Sequence, residues 1–542
     1  MDREARLAAV ARLEALLRQR PDDPNALNNL AVHARALGDT SRATALLRRA
    51  IAVDAANPAY HANLGNACAA AGDSDGAIEA YRAALACDPG RPAAAIQLAG
   101  ALHRARRLEE GAAVAADALT RDPGSGALHN VLGALLNSQR RYEAAAAHFR
   151  QAIALAPDRI DARINFAIAA MQLGQHQSAL AELDAAIAAA GESAELLAHQ
   201  GQALVSMGRL RDGLDRITRA LALDPGNLDA RLGRSRALFL LGEYESAWQA
   251  YDARWLRPDN PRPDVGIPLW QDEDPAGRAI FVVNEQGLGD TINFCRFLPM
   301  LAARARRVCL ACQEPLVDLL RTSLPGVQVV PAGKRPRDLE FAIPLLDLPP
   351  RLGRFAPWWP GAAYLKASRP SPVALPSDGK RKVGLVWAGN PDHGNDRFRS
   401  LGLESLLFLG GDPRVRLVAL QKGPAAAART RLGAEALIMD AGERLYSFAD
   451  TAALIERLDL VIAVDTAVAH LAGAMGKPAW ILLPAAPDWR WGVAGERSGW
   501  YPSLRLFRQQ TIGDWTGPLA ALRDAWTTWL DGTGTHPDRP PP

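Results

Sequence analysis

The chain has 542 residues, of which 49% are hydrophobic and 22% charged, and its formal net charge is +3. This composition is typical of a folded protein with several domains and excludes both a long disordered chain and a protein made mainly of membrane helices. So small a net charge creates no overall field that attracts nucleic acid, and we expect no nucleic-acid partner.

The chain starts with Met1-Asp2-Arg3-Glu4, and no continuous apolar stretch follows. Neither a secretory signal nor a mitochondrial presequence is readable, and no run approaches the 18 or so apolar residues that suggest a transmembrane helix. The five cysteines are an odd number, which fits a reducing compartment. We therefore expect a cytoplasmic protein without a transmembrane segment.

Residues 3 to 20 are the first predicted element, an amphipathic helix in a capping segment that spans residues 1–23. Residues 24–256 then repeat a 34-residue period seven times. Arg106 and Arg140 occupy two of the positions marked elsewhere by glycine, and Arg254 interrupts a column of alanines in the last repeat. The glycines that mark the period are Gly38, Gly72, Gly174, Gly208 and Gly242. Together with small residues at fixed later positions, this period predicts a solenoid of seven tetratricopeptide helix pairs.

The sixth position of the first helix in each repeat usually faces the concave groove of such a solenoid. Four of these seven positions carry amides, namely Asn29, Asn63, Gln97 and Asn165. Amides in one column can hydrogen-bond an extended peptide backbone without reading its side chains, so we predict that the groove binds an acceptor polypeptide. The column resembles the asparagine ladder of the O-GlcNAc transferases. The alternative of solvated polar residues on an exposed helix face stays open, because the other three positions are not amides.

The period stops at residue 256, and five prolines in residues 257–277 predict a linker. Strand-like and helical stretches then alternate, which indicates parallel sheets wound with helices. A region rich in proline and tryptophan divides them, so we predict two Rossmann-like lobes at 278–378 and 379–530, and a disordered tail at 531–542. The predicted strands are 280–284, 307–312, 327–330, 382–387, 415–420, 459–464 and 478–483, and the predicted helices are 291–304, 314–323, 403–409, 450–457 and 466–475.

Cys309 and Cys312 form a C-x-x-C spacing inside one of these apolar strands. Side chains three apart on a strand point to opposite faces, and no second pair or nearby histidine accompanies them. We therefore predict no metal site there.

The first strand of the first lobe leads directly into Gly287-Leu288-Gly289-Asp290. Glycines at the carboxyl end of a parallel strand let a ligand approach the backbone, and the next helix offers unpaired N–H groups. This turn has neither the third glycine of a dinucleotide fingerprint nor the lysine of a P-loop. Asp290 lies at the start of the predicted helix, where a catalytic role and a simple N-cap are both open.

Three strands of the second lobe deliver polar residues to one edge of the predicted sheet. Thr466 and His470, with the backbone N–H groups of their helix, can hold a diphosphate without a metal. A buried, structural His470 is the alternative, and the arginine of this set can equally be surface charge. The residues at this edge are Asn390, His393, Arg399, Gln421, Lys422, Asp465, Thr466 and His470.

These motifs together resemble bacterial tetratricopeptide-repeat glycosyltransferases, whose catalytic domain is similar to the lipopolysaccharide heptosyltransferases of glycosyltransferase family 9. The resemblance rests on segments 285–291, 384–390, 465–473 and 487–491 and covers nearly the whole chain. It implies a GT-B fold that uses a nucleotide sugar as substrate, with no cofactor and no metal.

The resemblance also implies individual roles. The acid of the glycine turn, here Asp290, is the proposed base on the acceptor hydroxyl, and His393 is our second candidate. The family often has lysine where this chain has Arg399, which leaves the identity of the sugar open. The resemblance implies that Asp465, Thr466 and His470 hold the phosphates of the nucleotide sugar. With the strand-end residues argued above, the predicted donor-binding set is Gly287, Gly289, Asn390, Arg399, Gln421, Lys422, Asp465, Thr466 and His470.

We thus predict an inverting, metal-independent glycosyltransferase that modifies a protein captured by the repeats, with flagellin as the acceptor that the resemblance suggests. One alternative is a lipopolysaccharide-type sugar transferase whose repeats assemble partners. Another is a scaffold that has lost catalysis, against which the retained Asp290, Asp465 and His470 argue.

Overall fold

A computed structural model describes residues 3–258, 260–271 and 273–532. The chain divides into two compact units, residues 1–203 and 204–542. Among the described residues, no helix combines the length and apolarity needed to span a bilayer. The predicted disordered tail lies outside the described residues, apart from residues 531 and 532.

The first unit is built from antiparallel helix pairs that follow the 34-residue period. Each first helix packs on its partner through fully buried small residues such as Ala43 and Ala77, because small side chains let two helix backbones approach. The opening helix packs Leu13 and Leu17 against the core of the first pair. The helices are α1 (Arg3–Gln19), α2 (Pro24–Ala36), α3 (Thr40–Val53), α4 (Pro58–Ala70), α5 (Ser74–Cys87), α6 (Pro92–Arg104), α7 (Leu108–Arg121), α8 (Gly126–Ser138), α9 (Tyr142–Leu155), α10 (Ile160–Gln172), α11 (His176–Ala190) and α12 (Ala194–Ser206), whose last residues belong to the second unit.

The turn inside each helix pair uses a left-handed backbone. The marker glycines have positive φ angles, for example 92° at Gly38, a conformation that glycine adopts without steric cost. Arg106 and Arg140, which replace glycine in two repeats, adopt the same conformation, with φ angles of 62° and 61°. A residue with a Cβ atom pays about 1 to 2 kcal/mol for this backbone, so the packing of the helix pair imposes the turn even where the residue type does not favour it.

The last helices belong to the same compact unit as the sheets. They are α13 (Leu210–Leu223), α14 (Leu228–Leu241) and α15 (Tyr244–Tyr251), followed by a 3-10 turn over Asp252–Leu256. Phe239 stacks on Trp489 with ring centroids 4.0 Å apart, and Trp248 Nε1 donates a hydrogen bond to the Phe355 carbonyl at 2.8 Å. The end of the sequence period at residue 256 is therefore not a packing boundary.

The first lobe contains a four-stranded parallel sheet in the order β3 (Val327–Pro331), β2 (Arg307–Cys312), β1 (Ala279–Val283), β4 (Phe341–Pro344). The predicted linker packs on it, since Leu269 pairs with Ala342 beside β4 and Trp270 N–H donates to the Ala342 carbonyl at 2.7 Å. The predicted helix 291–304 begins earlier and is interrupted by a 3-10 turn over Cys295–Phe297. The elements are β1 (Ala279–Val283), α16 (Leu288–Phe294), α17 (Leu298–Ala302), β2 (Arg307–Cys312), α18 (Val317–Ser323), β3 (Val327–Pro331), β4 (Phe341–Pro344) and α19 (Leu348–Arg351).

The second lobe contains a six-stranded parallel sheet in the order β10-β9-β8-β5-β6-β7. All five residues of the central strand β8 are buried. The predicted helix 403–409 is a 3-10 helix instead, over Leu403–Gly411. The elements are β5 (Arg381–Val386), α20 (Asp396–Arg399), β6 (Val415–Ala419), α21 (Ala428–Arg431), β7 (Ile438–Asp440), α22 (Phe448–Ile455), β8 (Leu460–Val464), α23 (Ala467–Ala474), β9 (Ala479–Leu483), β10 (Leu504–Arg508) and α24 (Thr516–Leu530). The predicted fold class, a helical solenoid followed by an α/β region of two parallel lobes, is confirmed.

Candidate functional site

The candidate site begins at the glycine turn after β1. Gly287 is the N-cap of α16, and Asp290 is its third residue rather than the cap itself. The Gly287 N–H donates a hydrogen bond to Asp290 Oδ2 at 2.8 Å, which satisfies a backbone donor that the helix start leaves open. The other carboxylate oxygen of Asp290 forms an ion pair with Arg490. This pair joins the first lobe to the second at the predicted catalytic acid.

Arg490 is a site residue that the sequence interpretation missed. It lies in a 3-10 turn over Trp489–Trp491 and is 7% exposed. Besides Asp290 it pairs with Asp488 at 2.8 Å, and its guanidinium lies 4.5 Å from the centre of the Trp489 ring. The run Asp-Trp-Arg-Trp was the available signal, but nothing local indicates which distant acid the arginine meets.

The buried charges of this cluster shift one another's pKa values. Burial raises the pKa of Asp290, and Arg490 and the Gly287 N–H oppose that rise. Burial also favours the protonated form of Asp488, but there the Arg490 charge prevails and the pKa is lowered. Asp290 is thus the more basic of the two carboxylates that flank Arg490, which suits a group that accepts a proton.

His470 lies on α23 directly against the glycine turn. A Cβ atom on Gly289 would lie 2.8 Å from His470 Cδ2, so the close approach of turn and ring requires a glycine. His470 Nδ1 lies 2.9 Å from the Tyr501 hydroxyl, and burial lowers the pKa of the imidazole to about 3. The ring is therefore neutral at neutral pH. A neutral imidazole still carries one ring N–H that can donate to a phosphate, so phosphate binding by His470 stays a prediction beside the alternative of a buried, structural histidine.

Gln421, a predicted donor-binding residue, has an amide whose two ends are both hydrogen-bonded to backbone. Its side chain is 4% exposed, and Oε1 accepts hydrogen bonds from the Trp387 and Ala388 N–H groups, both at 3.0 Å. Its amino group donates to the carbonyls of Ala388 and Lys422, at 3.1 and 2.9 Å. With both ends of the amide engaged by backbone, Gln421 links two strand-end loops, and its contact with the donor stays a prediction.

The loops after β5 and β6 carry three further residues of the predicted donor-binding set. Arg399 Nε lies 3.1 Å from Asp396 Oδ1, and this side chain is 12% exposed. Asn390 is exposed, and its Oδ1 accepts the Asp392 N–H at 3.1 Å, which shapes its own loop. Lys422 is also exposed, and its Nζ donates to the Leu445 carbonyl.

His393 lies on the same loop and is exposed. Desolvation of part of its ring and the Arg399 charge lower the pKa of His393, while Asp488 and Asp290 oppose this shift. His393 is therefore within electrostatic range of Asp290, and both candidate bases belong to one cluster.

The start of α23 offers unpaired backbone donors. Thr466 is the N-cap residue, but its hydroxyl donates to the Val464 carbonyl at 3.2 Å and makes no side-chain cap. The first N–H groups of the helix therefore lack a side-chain acceptor, which is the arrangement that binds anions at helix starts. This end of α23 lies beside the Gly287–Gly289 turn.

Asp465, the residue before this cap, is 8% exposed. Burial and the neighbouring Asp488 raise its pKa to about 6, against the opposing charge of Arg399. Its folded pKa thus lies above the ordinary aspartate value near 3.9, so ionisation penalises the folded state as pH rises through this interval, and the penalty is complete above pH 6 or so.

Asp465→Asn is expected to stabilise the protein at alkaline pH, because it removes this ionisation penalty. Two pKa units correspond to on the order of 3 kcal/mol in the free energy of unfolding at pH 8, with no gain below about pH 4. Denaturant unfolding at both pH values measures the difference, with Glu435→Gln as the variant of an exposed carboxylate in the same lobe. An equal gain at both pH values would mean that packing, not charge, is responsible.

In the first unit, the predicted amide ladder is half-buried except for Asn29, which is exposed. Three of its side chains donate hydrogen bonds to a second set of asparagines, and Asn28 donates to Asn29 Oδ1 at 3.3 Å. As far as the described residues extend, three of the four amino groups thus donate one hydrogen bond each, and the carbonyl oxygens of these three amides accept none. The pairs, donor first, are Asn63 to Asn28 at 2.7 Å, Gln97 to Asn66 at 3.2 Å and Asn165 to Asn130 at 3.0 Å.

Family comparisons match both halves of the chain. Tetratricopeptide-repeat models match residues 6–52, 33–92, 69–135, 136–202 and 199–263. A model described as glycosyltransferase family 9 (heptosyltransferase) matches residues 444–497, the segment with Asp465, Thr466, His470 and Arg490. The predicted combination of tetratricopeptide repeats with a family 9 glycosyltransferase domain is confirmed.

Individual proteins are similar to parts of the chain. Protein FlbA of Caulobacter vibrioides is 28% identical over 336 residues, which cover 54% of this chain and 55% of FlbA. The chain thus spans about half the length of the curated relative it matches. Among solved structures, a tetratricopeptide repeat protein from Parabacteroides merdae has a TM-score of 0.38 at 17% identity, covering 42% of this chain and 91% of its own. PilF of Pseudomonas aeruginosa has a TM-score of 0.34 at 20% identity, covering 39% and 97%.

Proposed function

We propose that this chain, which joins tetratricopeptide repeats to a glycosyltransferase family 9 domain, transfers a sugar from a nucleotide donor to a polypeptide bound by its repeats. The observation that carries the proposal is the juxtaposition of Asp290, a partly buried acid on the first lobe, with the uncapped start of α23 on the second. A base and an anion site side by side are what the displacement of a nucleotide by a hydroxyl requires.

On the donor side, the diphosphate binds at the N–H groups that open α23. The partial positive charge of the helix start stabilises the negative charge that grows as the sugar leaves. Arg399 and Lys422, from the loops after β5 and β6, supply positive charge at the same strand ends. His470 contributes by fixing the distance between α23 and the glycine turn, against which its ring packs.

On the acceptor side, Asp290 takes the proton of the attacking hydroxyl. The hydroxyl oxygen forms a bond to the anomeric carbon of the sugar as the bond from that carbon to the diphosphate oxygen breaks. Attack from the face opposite the diphosphate inverts the configuration at this carbon. Arg490 holds one oxygen of Asp290 and the Gly287 N–H the other, so the carboxylate is oriented before the acceptor arrives.

The repeats supply the acceptor in this scheme. Their ladder carbonyls can accept hydrogen bonds from the backbone N–H groups of an extended peptide, which gives affinity with little dependence on its sequence. The resemblance of the chain to flagellin-modifying enzymes makes flagellin the first acceptor to test.

A panel of nucleotide sugars tests the proposal. We expect one donor class to raise the thermal stability of the purified chain and to be hydrolysed slowly, because a ligand at 100 times its Kd stabilises by about 2.7 kcal/mol. Inorganic phosphate and free sugars are the controls. A full panel that gives neither stabilisation nor hydrolysis would contradict the proposed function and favour the inactive scaffold.

A further inference from the structure

The last repeat contacts the candidate site through a buried arginine. Arg254 stands where the six preceding repeats carry alanine, and it is 4% exposed. Its Nε lies 2.9 Å from Glu285 Oε2 and its Nη2 lies 3.2 Å from Glu285 Oε1, and it also pairs with Asp347. Glu285 comes two residues before Gly287. The last repeat therefore binds the segment that leads into the turn with Asp290.

A second contact lies one residue further along the turn. Gln286 has a positive φ of 59°, a left-handed backbone that is uncommon for a residue with a side chain. Its side-chain amide donates to the Tyr251 hydroxyl at the end of α15. Its backbone carbonyl accepts a hydrogen bond from the Gln313 side-chain amide at 3.2 Å. The unusual backbone is therefore supported from the repeat on one side and from the first lobe on the other.

The same repeat also touches the partner of Asp290. Phe239 of α14 stacks on Trp489, the residue before Arg490, and Trp248 of α15 packs edge-on against Trp489, with centroids 5.7 Å apart. One helix pair thus contacts both chain segments that form the Asp290–Arg490 ion pair, one from each lobe.

Stability alone does not explain a charged residue at position 254. A buried ion pair stabilises a fold little more than well-packed apolar groups would, because its charges must leave water. We propose that the last repeat is part of the catalytic domain, and that Arg254 and Tyr251 are positioning residues which hold the glycine turn, and with it Asp290, at its working distance from Arg490 and the donor. This inference rests on the proposed glycosyltransferase function.

Two variants of the full chain test the inference. Tyr251→Phe removes one hydroxyl without changing shape, and Arg254→Met keeps the length of the side chain but removes its charge. We expect kcat to fall about a hundredfold in Arg254→Met, because a catalytic base displaced by 1 Å lowers the rate by roughly that factor. We expect a smaller, about tenfold fall in Tyr251→Phe, which loses a single hydrogen bond. The KM for the donor should change much less than kcat, since the variants do not alter α23 or the loops after β5 and β6. Arg234→Met, at an exposed arginine of the same repeat, should match wild type.

The outcomes separate the possibilities. A folded Tyr251→Phe variant with wild-type kcat would overturn the inference while leaving the proposed function intact. An equal loss of kcat and donor affinity together with a lower melting temperature in both variants would indicate a purely structural role and would also overturn it. A wild-type chain without donor turnover would overturn the proposed function itself.

Discussion

Replacing Asp290 with asparagine is expected to lower kcat for sugar transfer by roughly two to four orders of magnitude while donor affinity is retained. The amide has the shape of the carboxylate, and its oxygen can still accept the Gly287 N–H, so the start of α16 is kept. Arg490 loses one partner but retains Asp488 at 2.8 Å. The change therefore removes the proton acceptor and one of the two ion pairs of Arg490.

Steady-state kinetics with the donor found in the panel measure this effect, and Glu314→Gln, at an exposed acid of the same lobe, is the control. Because burial raises the pKa of Asp290, wild-type activity should fall on the acid side at a higher pH than for an ordinary aspartate. The variant should lack this limb. If turnover survives in Asp290→Asn, His393 becomes the better candidate for the base, and His393→Ala should then abolish transfer.

Changing Asn29, Asn63, Gln97 and Asn165 together to alanine is expected to weaken binding of the acceptor polypeptide by more than a hundredfold. Each lost hydrogen bond contributes on the order of 1 kcal/mol, and four of them exceed a hundredfold if all engage the peptide. In the structure three of the four amino groups each donate one hydrogen bond to a neighbouring asparagine, which orients these amides. The side chains are half-buried or exposed, so the helices should remain folded.

Peptide binding by the full chain and transfer to the intact protein acceptor measure the effect, while donor hydrolysis should continue. A matched control replaces four exposed polar residues on second helices of the repeats, namely Ser41, Glu79, Glu109 and Gln151. Unchanged binding of the polypeptide would remove the ladder from the proposal. An enzyme of the lipopolysaccharide type would modify its glycolipid equally well without the ladder, and an inactive scaffold would turn over no donor in either form.

Much of the fold is determined by local patterns in the sequence. The 34-residue period predicts the helix pairs because each pair packs mainly on its neighbours, so its requirements recur at a fixed spacing. The strands and glycine turn of the first lobe follow from apolar runs and glycines that are adjacent in the chain. The elements absent from the prediction are β4, β7, β10, α24 and the four-residue helices α19, α20 and α21. Of these, β4 and β7 have only four and three residues, too few for alternation to be recognised, and α24 was left unassigned.

The chemistry of the site was decided by tertiary structure. Asp290 and Arg490 are 200 residues apart, and neither residue type indicates that they pair across two lobes. Gln421 and His470 lie at the predicted edge of the sheet. In the packed structure the Gln421 amide is hydrogen-bonded to backbone, and burial lowers the pKa of His470. In the sequence Arg254 only interrupts a column of alanines, and the packed structure shows that it pairs with Glu285 and Asp347. The pKa and partner of a charged group depend on which distant segments remove it from water, and that is set only when the chain is packed.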